Sequence, residues 1–159
     1  MITEIGTDIE RAVALLRGGD LVAIPTETVY GLAANAFDAD AVLRIFQVKE
    51  RPAFDPLIVH LRDRAQVDVV AHVTPWAEVL IPRFWPGPLT LVLPKRPIVP
   101  DIVTSGLDTV GVRMPAHPIT LRLLRTLEFP LARTLRKVTH PQEIEEAISV
   151  HPEPDNGVG

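Results

Sequence analysis

Ala23-Ile-Pro-Thr-Glu-Thr-Val-Tyr-Gly-Leu32, read with Lys49-Glu-Arg-Pro52 and Asp55-Pro-Leu-Ile-Val-His60, is where the chemistry of this chain is most legible. Leu21 to Ile24 is a short, wholly apolar run, the pattern of a buried strand, and it stops at Pro25. Past the proline stand the hydroxyls of Thr26 and Thr28 and the single tyrosine, Tyr30. Hydroxyls in such a place either cap turns or hydrogen-bond a small polar ligand. A lone tyrosine either fills the core or walls a pocket. Lys49 and Arg51 fall at a helix end, and Arg51-Pro52 leads straight to Asp55-Pro56 and the strand bearing His60. Two such cations are either solvated surface charges or a grip for a polyanion such as a triphosphate, to which both can donate charge-assisted hydrogen bonds.

Working outward, Thr7-Asp8 caps a helix whose Ile9, Ala12, Val13 and Leu16 repeat at helical spacing, and Gly18-Gly19 ends it. Asp38 caps a second helix with Val42, Ile45 and Phe46 inward. Residues 57–61 form a strand, Thr74-Pro75 opens a helix through Trp76, Val79 and Leu80, and residues 89–93 and 110–113 are strands. A helix follows from His117 to Leu127, then a strand stub over Pro130-Leu-Ala132. Strands and helices mix along the whole length, so the class is α/β or α+β around a twisted sheet.

Composition bounds the function. The 159 residues make one domain by prior, and 47% hydrophobic content indicates a folded core. No run approaches about eighteen apolar residues, and no basic-then-apolar leader opens the chain, so the expectation is a soluble protein that meets no membrane. The absence of cysteine excludes disulfides and thiolate metal sites and suits a reducing cytoplasm, the expected location. With a net charge of −4, any nucleic-acid contact must come from a local patch. The sixteen prolines punctuate element ends.

Three further features carry either structure or chemistry. His60 lies in an apolar strand, with no second histidine at metal spacing, so no structural metal is expected. Trp85-Pro-Gly-Pro-Leu-Thr-Leu-Val-Leu93 reads as a core plug and a turn into a buried strand. Thr109-Val-Gly-Val-Arg-Met-Pro115 is a strand ending in a cation, and an arginine at a buried strand end needs either a structural salt bridge or an anionic ligand.

In this order and spacing, these segments resemble the YrdC/Sua5 family, the threonylcarbamoyl-AMP synthases that begin N6-threonylcarbamoyladenosine synthesis on tRNA. The resemblance implies a YrdC-like fold, a twisted open mixed sheet with flanking helices, and nucleotidyltransferase chemistry. L-threonine and bicarbonate give a carbamate that attacks the α-phosphorus of ATP, releasing pyrophosphate. It implies that Thr28, His60 and Arg113 contact threonine. Lys49 and Arg51 would grip the ATP phosphates, with Asp55 and Thr109 also at the nucleotide and Mg²⁺ shared among phosphate oxygens. Asp55 departs from the asparagine usual in relatives and puts a negative charge near phosphate. No general base is evident, so the catalytic group is unknown and the protein's part is positioning. Further implied partners are tRNA or double-stranded RNA and the threonylcarbamoyl-transferring machinery downstream. The alternative is a non-catalytic member of the fold that binds nucleotide or double-stranded RNA.

The resemblance covers residues 7–132, giving a partial YrdC-like domain over 1–132 that is incomplete at its C-terminal side. Relatives continue with a Pro-Ser-Ala-Asn segment and a Ser-Gly loop. Here Arg133-Thr-Leu-Arg-Lys-Val-Thr-His-Pro-Gln-Glu-Ile-Glu-Glu-Ala-Ile148 and a polar tail to Gly159 follow instead. Residues 133–159 read as an atypical C-terminal helix and tail, with Thr139 and Gln142 at capping-box spacing and Ile144, Ala147 and Ile148 on one side. The segment from Leu135 resembles the end of a full-length relative, which implies either an internal loss between Ala132 and Arg133, making Arg136 a nucleotide contact, or a shifted reading frame that makes the likeness accidental. A shortened sheet with an exposed apolar edge and weak or absent activity would follow.

Overall fold

A computed structural model of the chain describes residues 5–6, 8–25, 31–49, 56–134 and 148–150. Helix α1 (Ile9–Arg17) starts where Asp8 accepts the Arg11 amide at 3.0 Å and stops at Gly18, with Gly19 beyond it at positive φ. Its Ile9, Ala12, Val13 and Leu16 are buried, as the spacing predicts. Strand β1 (Ile5–Gly6) precedes it and β2 (Val22–Ile24) follows. Strand β3 (Gly31–Asn35), which the sequence reading does not anticipate, pairs antiparallel with β2. Helix α2 (Ala39–Lys49) is capped by Asp38, which accepts the amides of Asp40 and Ala41 at 3.1 and 3.2 Å.

Strand β4 (Ile58–His60) leads into α3 (Arg64–Val70) and α4 (Pro75–Phe84), the latter opening with proline after the extended Thr74. Along α4, Ala77 and Ile81 are buried, Leu80 packs partly buried against the core, and Trp76 and Val79 are exposed. Strands β5 (Leu91–Pro94) and β6 (Thr109–Arg113) flank the short α5 (Asp101–Thr104). Helix α6 (Pro118–Thr126), strand β7 (Leu131–Arg133) and strand β8 (Ile148–Val150) complete the order.

Among the described residues, eight strands form one mixed sheet in the order β1-β8-β2-β3-β7-β4-β6-β5. The stub expected to end at Ala132 runs on through Arg133 in mid-sheet, antiparallel to both β3 and β4. Ile148, expected on a helix, lies in β8, parallel to β1 and β2. Pairing by β8 therefore covers the side of β2 that a shortened sheet would have left as an apolar edge. The remainder of the expected C-terminal helix lies outside the described residues.

The two faces are covered unequally. Helices α2 to α5 pack on one face, over Leu32, Ala34, Val59, Leu91, Leu93, Val110, Val112 and Ala132. On the other, α1 and α6 cover Val22, Ile24, Ala33 and Leu131. An ion pair between Arg17 and Glu128 closes the outer seam of these two helices. Among the described elements nothing packs over the β5 end of this second face, where Val92 is 58% exposed. No helix among the described residues is long and apolar enough to cross a membrane.

Candidate functional site

Side chains alternate between the faces of a strand, so register states which residues meet. His60 of β4 lies beside Arg113 of β6, and Ile58 lies beside Gly111. Across β7, His60 faces Leu131 and Ile58 faces Arg133. Ala33 also faces Arg133, and Ala33 and Leu131 belong to the α1/α6 core. His60, Arg113 and Arg133 therefore share the face that, among the described helices, α1 and α6 cover. Thr109, two residues from Gly111 on β6, shares it too and is exposed.

The three polar side chains are held firmly. Arg113, 6% exposed, donates from Nε to the Gly87 carbonyl at 2.9 Å. That carbonyl belongs to the Trp85-Pro-Gly-Pro88 turn. Trp85 anchors the turn by plugging the core, with its indole N–H donating to Leu89 O at 2.8 Å, and Gly87 N donates to Met114 O at 2.8 Å. A Cβ at Gly87 would stand 2.6 Å from Phe84 O, so only glycine fits this approach. The segment read as fold-specifying thus also aims the arginine, a role that sequence spacing does not signal.

His60 is 1% exposed. Its Nδ1 lies 3.3 Å from Ile58 O, and because a carbonyl can only accept, this nitrogen carries the proton. Nε2 is then an acceptor, buried and without a hydrogen-bond partner. Burial, then the charges of Arg133 and Arg113, hold the imidazole pKa well below its ordinary value, so His60 is neutral. A neutral, buried acceptor suits positioning better than proton transfer.

Arg133, which the sequence offered only as one of several basic residues for an RNA patch and not at the threonine or nucleotide subsites, is 3% exposed. A Cβ on Gly31 would come within 2.8 Å of its Nε and 3.0 Å of its Cζ, so the guanidinium packs closely over Gly31. Thr134 fastens the strand end, its amide donating to Leu32 O at 3.0 Å and its hydroxyl accepting from Leu32 N at 3.2 Å. At the other rim, the buried Thr120 of α6 donates to the Pro25 carbonyl at the end of β2.

Of the residues expected at the site, the structure brings His60, Arg113 and Thr109 onto one face. Lys49 closes α2 in the helix layer over the opposite face, and its side chain lies outside what the structure describes. Thr28, Arg51, Asp55 and Arg136 lie outside the described residues, as do Thr26 and Tyr30. Among the described residues no group of three His, Asp or Glu could hold a metal ion.

Comparison with known proteins places this geometry. The family model for Sua5, YciO and YrdC proteins, described as telomere recombination, matches residues 14–153. A threonylcarbamoyl-AMP synthase of Pyrococcus abyssi is 58% identical over 125 residues, which is 78% of this chain and 37% of the relative. The crystal structure of P. abyssi Sua5 complexed with L-threonine superposes with a TM-score of 0.78 at 52% identity, over 84% of this chain and 41% of that one. The crystal structure of E. coli YciO superposes at 0.79 with 25% identity, over 96% of this chain and 84% of that one. The chain thus spans about two-fifths of the length of the P. abyssi proteins it matches. The extent of the family match and the shared sheet lead to one conclusion: the chain belongs to the Sua5/YciO/YrdC family.

Proposed function

We propose that this chain forms threonylcarbamoyl-AMP from L-threonine, bicarbonate and ATP, with release of pyrophosphate. The observation that carries the reading is the pairing of a buried arginine and a neutral histidine acceptor, Arg113 beside His60, on one sheet face. Arg113 takes the threonine carboxylate, and His60 Nε2 accepts from the substrate's hydroxyl or amine. The named ligand of the P. abyssi Sua5 complex supports this assignment. Thr28 completes the threonine subsite. Lys49, Arg51, Asp55, Thr109 and Arg136 serve the nucleotide. Mg²⁺, if carried in on the ATP phosphates rather than held by this chain's own side chains, would supply charge neutralisation there.

The threonine amine adds to the carbon of bicarbonate-derived CO2 to give a carbamate. A carbamate oxygen then bonds to the α-phosphorus as the bond to the pyrophosphate oxygen breaks. The chain's own contribution is to hold the carboxylate and the hydroxyl in place and to neutralise charge. The product is consumed in tRNA modification, which fits a cytoplasmic location. A second reading is a nucleotide- or double-stranded-RNA-binding member of the same fold without turnover.

A pyrophosphate-release assay with ATP, threonine and bicarbonate separates the two. Calorimetry tests the subsites: Arg113→Ala should weaken threonine far more than ATP, and Arg51→Ala the reverse. Each loses roughly tenfold to a hundredfold in affinity. Equal loss of both ligands in both variants rules out the division into subsites.

A further inference from the structure

We propose that Thr120 is a positioning residue for the threonine subsite: its hydroxyl, reaching from α6 to the Pro25 carbonyl, fixes the point at which the chain leaves β2 on its way to Thr28. The inference rests on the threonine-contacting reading of Thr28. Thr120 acts through Pro25 and is not a catalytic residue.

Three observations converge. First, the hydroxyl breaks the pattern of its helix. The other buried residues of α6 are Leu121, Leu123 and Leu124, and Thr120, itself 0% exposed, is the one polar residue among them. Valine has the same shape and would bury there with no polar atom to satisfy. A local rule broken in this way marks a position that serves something besides the core. Nor does the hydroxyl turn back onto its own helix, as that of Thr126 does by donating to Arg122 O at 2.8 Å. It donates to Pro25 O, 95 positions away in sequence.

Second, the acceptor stands where the strand ladder ends. Ile24 and Gly31 are the last pair between β2 and β3, and the buried Pro25 comes next. Proline has no amide with which to extend a ladder, so its carbonyl is the one backbone group that can hold it. Third, the exit lies at the site's end of the sheet. Val22, Ala33, Arg133, Ile58 and Gly111 form one row across the strands. Ile24 and Thr109 both lie beyond that row, toward the same end. Residues 25–30 join Ile24 to Gly31 and include Thr28. On the far side of that span the Thr134 hydroxyl accepts the Leu32 amide at 3.2 Å, so β3 is held from outside as β2 is.

A buried hydroxyl–carbonyl bond adds little net stability, but its removal leaves the carbonyl unsatisfied and the chain end less well fixed. Chain that must be ordered when a ligand arrives draws on the binding energy, and chain fixed beforehand does not. The consequence is selective. Threonine, which uses Thr28, should feel the loss of the anchor, whereas ATP should not.

The full chain is titrated with L-threonine and, separately, with ATP by calorimetry, with urea unfolding measured alongside. Thr120→Val keeps the shape and removes the donor. It should weaken threonine by about two- to tenfold, the worth of one hydrogen bond, and leave ATP affinity in place. Thr120→Ser restores the hydroxyl and should recover most of the loss. Leu124→Ala, at another buried position of α6, is the structural control: it should lower stability without separating the two affinities. Should Thr120→Val fail to fold, Thr120→Cys, a weaker donor of similar size, is judged by the same split. Unchanged threonine affinity without the hydroxyl, equal loss of both ligands, or the same split in Leu124→Ala overturns the proposal and leaves the proposed function standing. A wild-type chain that binds no threonine overturns the proposed function itself, and this inference with it.

Discussion

Acidification should destabilise this protein through one residue, His60. The unfolded chain takes up a proton on that imidazole near pH 6.5. The native chain does not until far lower pH, because burial and the charges of Arg133 and Arg113 disfavour the imidazolium. Below pH 6.5 the unfolded state therefore binds more protons than the native state. Stability rises with pH in that window and is lost as pH falls through it. One proton corresponds to about 1.4 kcal/mol per pH unit, so about 2 kcal/mol disappears between pH 7.5 and pH 5. The other titrating groups are common to both chains when wild type is compared with His60→Gln, a neutral side chain that keeps a polar terminus. Urea unfolding is followed by circular dichroism at half-unit pH intervals. The gap between wild type and His60→Gln should close, or reverse in favour of the variant, by about 2 kcal/mol across the range. Parallel stability curves for the two chains would show that His60 is not held neutral, and would remove the basis for treating Nε2 as an acceptor.

Other consequences can be checked with single substitutions. Gly87→Ala forces a Cβ to 2.6 Å from Phe84 O, so the turn must move and take the acceptor of Arg113 with it. It should cost about 1–3 kcal/mol by overpacking, measured by chemical unfolding, and should also weaken threonine binding. Leu124→Ala, at a fully buried position of α6, should cost about 2–5 kcal/mol. Val79→Ala on the exposed side of α4 should stay within about 0.5 kcal/mol. Removing the α1 cap with Asp8→Ala should cost about 1 kcal/mol in the same assay.

Reading sequence worked best where one short-range rule governs an element. Helices α1, α2 and α6 carry their caps and apolar stripes within a dozen residues, and their buried positions follow from spacing alone. Strands β2, β4, β5 and β6 announce themselves as apolar runs between prolines and polar residues, with boundaries shifted by a residue or two. Strand β3 was missed because Gly31-Leu-Ala-Ala-Asn35 has weak strand propensity and no alternation. Its strand state comes from two partners, β2 and β7, that hydrogen-bond it on both sides. The pair at Ile148–Val150 was missed for the same reason: a local pattern favoured helix, and pairing with β1 and β2 overrode it.

What the sequence determined by itself was the family, the mixed α/β class and the candidacy of His60 and Arg113, because residue order and local periodicity are enough for each. Which residues share a face was decided only by the tertiary structure. The separation of 53 positions from His60 to Arg113 vanishes when β4 and β6 lie in parallel register. Arg133 joins them because β7 enters between β3 and β4, a placement that no local signal around Pro130 encodes. Charge, tautomer and acceptor character at His60 depend in turn on those neighbours. They are properties of the assembled sheet, since only burial among charges can shift a proton equilibrium that the isolated residue would leave near pH 6.5.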